Sequence, residues 1–340
     1  MNKFKLQKVK FVYYLTNTLR LLVPRMYYRL KIESELNKID LYNHKEILFR
    51  VNYYNKLKKK FVVSNNAVSN KEFWIRQKNI LYDFFIKKNK SRKKMTTYFY
   101  DLYNIFSFFP INNKLDFKFG DVRDSFPKPI IVKSRPIRGN ENSTIMKLES
   151  VRHFNFINDN RSFIDKSNKA VWRGYPMNNE KRLLFIKNYH HVPIFDIGQS
   201  NPVTDEPWYK GYMSIYDQLA NKFIFCIEGW DTATSMKWVM SSNSVCVMPK
   251  PKYETWFMEG VLRADVHYVE VSDDFSDAEE KVKYYSRNAD KSLKIIENAH
   301  SHIEQFKNPG REKLISLLVL DKYFALSDQN AQYKIEFGKS

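Results

Sequence analysis

Glycine is scarce in this sequence, nine residues in 340, where about 7% is usual. Neither G-x-G-x-x-G nor G-x-x-x-x-G-K-S/T occurs, which argues against the dinucleotide and P-loop enzymes that cradle phosphate on a glycine-rich turn. Cysteine is scarcer still. Cys226 and Cys246 cannot build a disulfide framework or a zinc ribbon. Both lie in apolar, strand-like runs that predict buried thiols, as expected of a reducing cytoplasm. No apolar run reaches the roughly 18 residues of a membrane span; the nearest, residues 11–23, is broken by Thr16, Asn17, Thr18 and Arg20. The basic start is not followed by a small-residue cleavage site. Acidic residues are outnumbered, 37 against 57 Lys and Arg, for a formal net charge of +20.

What is present is apolar and aromatic, 43% and 16% of the chain, enough to bury cores and inconsistent with a disordered tail. The length is that of about two domains. The positive excess calls for an anionic partner: nucleic acid, an acidic membrane surface or a phosphorylated substrate. Much of it sits in the first third, in Lys56-Leu57-Lys58-Lys59-Lys60 and in residues 87–94, whereas beyond residue 225 the chain is near balance. One half is therefore expected to meet a polyanion and the other to do something else.

Residues 9–36 predict helix, with Val12, Leu15, Leu19, Leu22 and Val23 near helical spacing among Lys and Arg. Pro24 is expected to kink or interrupt it. Such a helix either lies on an anionic bilayer or packs on its own domain. Residues 71–108 continue the helical pattern with Trp74, Phe84, Phe85, Tyr98, Tyr100, Tyr103 and Phe106. They form either a stacking platform for single-stranded nucleic acid or, more commonly, a core face with a solvated basic back. From residue 115 the period shortens. Leu115 to Phe119 and Ile130 to Val132 predict short strands, the second closed by Lys133-Ser134-Arg135-Pro136. Further on, strands are expected at 170–172, 192–197, 223–227, 245–248 and 267–271, with helices at 181–190, 214–220, 232–241, 256–262 and 277–306. That alternation predicts a parallel sheet covered on both faces. The expected organisation is an α/β fold with an acceptor-side domain at 1–168, a donor domain at 169–310 and a tail or helix at 311–340.

Open α/β sheets hold ligands at the carboxyl ends of their strands. Arg173 follows a strand directly, and its fork suits an oxyanion bidentately, with Gly174 permitting close approach; the alternative is a salt-bridged loop arginine. The strand ending at Ile227 runs into Asp231, Thr232, Thr234 and Ser235, all good helix caps. Free N–H groups at such a start bind a phosphate or diphosphate without a glycine loop. Lys237 would add a charge; the bland reading is a well-capped surface helix. Lys133, Arg135, Arg152 and His153 bring further cationic or titratable groups toward a presumed cleft. Arg152 and Lys147 suit a solvated face equally well, and a lone His153 suits a structural role. For a general base the choices are Asp121 and Asp124, carboxylates beside Arg123 at a strand end, although most loop aspartates only cap turns. His190-His191 point apart and make a poor metal site; no metal is expected.

Several segments taken in order are familiar: Val171-Trp172-Arg173-Gly174, then Phe223 to Gly229, Ala233 to Ser244, Tyr253 to Gly260 and His267-Tyr268-Val269. Upstream, Lys133-Ser134-Arg135-Pro136-Ile137 and Lys147-Leu148 to Arg152-His153-Phe154 fit the same pattern. Over residues 98–306 the chain resembles glycosyltransferase family 90, particularly its bacterial lipopolysaccharide branch. The resemblance implies a GT-B arrangement, two Rossmann-like domains facing across a cleft, here with a helical basic N-terminal region. It implies an inverting, metal-independent transfer from a nucleotide-sugar, a UDP-hexose, with no cofactor. Arg173 would hold the donor diphosphate, and the Asp231 to Lys237 segment the nucleotide or sugar. Related protein O-glycosyltransferases carry their base aspartate in an Arg-Asp-x-Pro-like stretch. Arg123-Asp124 followed by Pro127 resembles it with one residue extra, so Asp121 stays an alternative. Eukaryotic members place an arginine where Ser235 aligns here, leaving Lys237 to supply that charge.

The function expected is transfer of a hexose to a lipopolysaccharide or lipooligosaccharide core by a cytoplasmic enzyme peripheral to the inner leaflet. Its basic third would face a phosphorylated glycolipid acceptor and an anionic membrane surface. Two other readings remain: a protein or capsular-polysaccharide O-glycosyl- or xylosyltransferase of the same fold, and a non-enzymatic nucleic-acid-binding protein. Nucleic acid is not the expected partner, because that last reading gives no account of the strand-end groups of the second half.

Overall fold

A computed structural model describes residues 3–75, 90–176, 179–201 and 206–331. Phe84, Phe85 and the lysines at 87 and 88 lie outside the described residues. The chain divides into two compact units. A helical unit takes Phe11–Val151, Tyr253–Trp256 and the chain from Phe306 on; a sheet unit takes Arg152–Lys252 and Phe257–Gln305, together with the chain up to Lys10.

The helical unit is built on Pro309–Leu326. Asn308 caps this helix by accepting from the Arg311 N–H at 3.0 Å, and Pro309 occupies the first turn, where its missing N–H costs nothing. Leu314 through Phe324 are buried on every side, the signature of a central helix. The C-terminal segment from residue 311, expected as a tail or helix, is helical as far as Leu326, and residues 332–340 lie outside the described residues. Helices Arg25–Leu36, His44–Tyr54 and Lys90–Phe106 pack around it. Three short parallel strands, Phe117–Lys118, Ile130–Val132 and Ser143–Ile145, complete the unit in that spatial order. The strand expected over 115–119 is divided. Lys114–Leu115 pairs antiparallel with Val68–Ser69, and Asp116 interrupts by accepting from the Ser64 N–H and hydroxyl.

The sheet unit holds five parallel strands in the order Val269–Val271, Val245–Pro249, Asn221–Phe225, Ser167–Gly174, Phe195–Gln199. All five fall where the apolar runs predict them. Ala170, Trp172, Phe223, Phe225, Val245 and Val247 pack with Phe185, Ala278 and Val282 of flanking helices. The alternate residues Val171, Ile224 and Cys246 are buried as well, so both faces are covered. Numbered in chain order the arrangement is 2-1-3-4-5. The winding therefore reverses between Ser167–Gly174 and Asn221–Phe225, and a crevice at the carboxyl ends of those two strands is the expected ligand place.

Three helices differ from expectation. The helix expected over 277–306 is two, Ala278–Arg287 and Ala289–Glu304, because Asn288 leaves helical geometry and its amide donates back to Tyr284 O at 2.8 Å. The one expected at 256–262 is reduced to a single turn at Glu259–Val261, because Met258 sits at φ 60°, a left-handed conformation that stops a helix. The one expected at 232–241 spans only Met236–Met240.

Candidate functional site

At the reversal point Arg173 occupies the end of its strand, paired with Gly198 on the neighbouring one. Its Nη2 meets Asp196 Oδ1 at 2.7 Å, and Nη1 donates to Asp196 O at 2.6 Å and Trp172 O at 3.0 Å. Among the described residues Nε has no hydrogen-bond partner, although the side chain is only 6% exposed. Lys210 Nζ reaches the same Asp196 oxygen at 3.0 Å. Burial pushes the Asp196 carboxyl up, but hydrogen bonds from Arg173 and Lys210 outweigh it and hold the group below the usual carboxylate range. Arg173 is thus both strand-end cation and salt-bridged arginine. Gly174 is required by packing, since a Cβ there would overlap the Trp172 ring.

Two residues that the sequence reading missed close this crevice. Arg182, in the first turn of helix Glu180–Tyr189, donates to Ile227 O at 2.7 Å, Glu228 O at 3.1 Å and Tyr175 O at 3.1 Å, lacing together the segments that leave the two strands. Asn179, the cap of that helix, donates to Gly229 O at 3.0 Å. Burial lowers the Arg182 guanidinium from its ordinary value, and the nearby charge of Arg152 lowers it further. Arg152 itself is exposed. The only signal available in sequence was an Asn followed three residues later by Arg at a helix start; nothing there names their carbonyl partners.

The segment after Ile227 departs from expectation. Thr232 and Thr234 precede the five-residue helix rather than start it, and Ser235 stands at its cap without a capping hydrogen bond. The Ser235 hydroxyl meets Cys226 Sγ at 3.5 Å, Thr234 is half-buried and Asp231 and Thr232 are buried. Lys237 is wholly buried and spent on Glu259, Nζ to Oε1 at 2.6 Å, with Thr232 Oγ1 at 3.3 Å. The start of this helix is therefore a loop held by a buried ion pair. Glu259 was not anticipated, lying 22 residues away beyond the left-handed turn.

In the helical unit the two aspartates separate clearly. Asp124 is 65% exposed and pairs with Lys118 at 2.9 Å. Asp121 is 29% exposed and forms an ion pair with the buried Lys133, with Tyr98 Oη 3.4 Å away. Glu149 completes this group, accepting from Tyr98 at 2.9 Å and lying 3.9 Å from Lys133 Nζ. Arg135 turns inward. Its fork is consumed by Glu254 Oε1 at 2.8 Å and by the carbonyls of Tyr53, Tyr54 and Ser143. Lys147 joins Arg50 and Trp256 around the carboxylate of Glu312. His153 is buried. Among the described residues no group of three or more His, Cys, Asp or Glu could hold a metal ion.

A reversed parallel sheet with arginines gathered at its strand ends defines an α/β protein suited to an anionic ligand. The chain belongs to glycosyl transferase family 90, whose family model matches residues 144–326, and it is a glycosyltransferase. It is 39% identical to O-glucosyltransferase LpsA of Dichelobacter nodosus over 279 residues, 82% of either chain. It is also 25% identical to protein O-glucosyltransferase 3 of Rattus norvegicus over 172 residues, 49% of this chain and 34% of that one.

Proposed function

We propose that the protein transfers a hexose, with inversion and without a metal, from a UDP-sugar to the core of a lipopolysaccharide or lipooligosaccharide. It would do so as a GT-B enzyme on the inner leaflet of the cytoplasmic membrane. The observation that carries the donor side is the partly unsatisfied, nearly buried Arg173 at the reversal point of the sheet. A leaving diphosphate needs fixed cations and N–H donors; Arg173 and Arg152 offer the cations there, and Arg182 holds the crevice walls. Inverting transfer also needs one base to take the acceptor hydroxyl's proton. Of the two aspartates, Asp121 fits better: its side chain is the less exposed and is held by a buried lysine, whereas Asp124 is solvated and paired at the surface. Lys133, fixed between Asp121 and Glu149, would orient that carboxylate. Glucose is the first hexose to test, because both relatives are named glucosyltransferases.

The rat relative's name favours one second reading, a protein acceptor. Labelled UDP-glucose incubated with core glycolipid, peptide and polysaccharide acceptors separates the two, and the anomeric configuration of the product tests inversion. Label in the glycolipid alone supports the proposal; label in the peptide alone replaces it with the second reading.

A further inference from the structure

From residue 11 on, the helix Lys3–Arg20 is turned inside out. Toward its own unit it presents polar groups. The Tyr13 hydroxyl donates to Asp101 Oδ1 at 2.8 Å, Asn104 donates to Asn17 Oδ1 at 2.6 Å, and the hydroxyls of Thr18 and Tyr100 lie 3.0 Å apart. Toward solvent it presents Phe11, Leu15 and Leu19. Leu22, Met26 and Leu30 follow at the same three-to-four-residue spacing through the turn and into helix Arg25–Leu36, which buries Tyr28, Ile32 and Leu36 instead. The six outward side chains are between 48% and 78% exposed. A surface helix ordinarily does the reverse, and an exposed apolar patch of this extent marks an interaction site. The charge beside it has one sign. Eight Lys and Arg and no acidic residue precede Glu33, and Arg20, Arg29 and Lys31 are exposed.

We propose that this face is a docking surface for an anionic phospholipid bilayer. The six apolar side chains enter the boundary of the acyl region, and the flanking cations meet headgroup phosphates. Charge selects lipid over a second copy of the chain, since two such faces would oppose mainly cation to cation, the first acid in sequence being Glu33, one turn beyond Leu30. Among the described residues no helix is long and apolar enough to cross a membrane, and the helices of this surface lie along the interface.

Co-sedimentation of the full chain with vesicles tests this. Binding is expected to vesicles containing phosphatidylglycerol and not to pure phosphatidylcholine, and to weaken as salt rises. Arg20→Ala and Arg29→Ala should each weaken it by about fivefold. The variant Leu15→Ser/Leu19→Ser/Leu22→Ser should lose it while keeping the wild-type melting temperature. Retention of a UDP-induced rise in that temperature by the triple variant separates loss of docking from loss of the donor site. Failure of the wild type to bind either vesicle, equal binding to both, or wild-type binding by the triple variant would overturn the proposal. So would a wild-type dimer that the triple variant dissociates, because a second copy would then cover the face.

Discussion

Arg173 has two of its nitrogens committed to Asp196 and one left without a partner among the described residues, in a nearly closed environment. Removing a charged donor from such a place forfeits about 1.5–3 kcal/mol of ligand binding. Arg173→Ala should therefore weaken UDP by roughly one to two orders of magnitude in calorimetric titration. Asp121→Asn should lower turnover by at least about a hundredfold and leave UDP binding intact. Asp124→Asn should stay near wild type, and the opposite pattern would reassign the base. Lys237 and Glu259 make a different claim, about folding. Both are wholly buried, so Lys237→Met strands a carboxylate and should cost about 3–5 kcal/mol in urea denaturation. The double variant Lys237→Met/Glu259→Leu should recover much of that loss. If instead the two losses simply add, the pair is not acting as a pair.

The first helix depends on its pin to helix Lys90–Phe106 through a buried acid. Asp101 accepts from Tyr13 and from the Ser150 N–H and hydroxyl. Burial pushes its carboxyl up to about 6, against the pull of those hydrogen bonds and of Lys147. A raised carboxyl pKa means the folded chain holds the proton more tightly than the unfolded one. Its contribution is complete below about pH 4 and is lost as pH rises through about 6, a change on the order of 3 kcal/mol. Wild-type stability should decline across that window, and Asp101→Asn should flatten the decline; equal slopes would remove Asp101 from the account. Elements of this kind were unequally legible in the sequence. The five strands of the sheet unit could be read because each is a continuous apolar run bounded by polar or glycine residues. The broken helix at Asn288 and the arrested one at Met258 could not, since each turns on a single residue's backbone conformation. Arg182, Asn179 and Glu259 were invisible for another reason. Most of their partners lie 22 to 50 residues away, and residue type alone does not reveal such pairings. Arg135 looked like a cleft cation and Lys147 suited a solvated face, and their use inside the helical unit followed from Glu254 and Glu312, which sequence spacing does not connect to them.

Over the whole molecule, the chain divides into two units of different make-up. The basic, outward-apolar start belongs mainly to the helical unit, and the reversed sheet with its strand-end arginines forms the other unit. Family membership makes the chain a glycosyltransferase, and the central claim beyond that is a UDP-sugar site at the reversal point. The most direct test is thermal unfolding of the wild type and of Arg173→Ala with UDP, GDP and CMP. At about 100 times its Kd a ligand adds roughly 2.7 kcal/mol to the native state, which at about 2–4 °C per kcal/mol for this domain size raises the melting temperature by roughly 5–10 °C. The account predicts that rise with UDP alone, in the wild type and not in the variant. An equal rise in Arg173→Ala, or a rise with GDP or CMP in place of UDP, would contradict it.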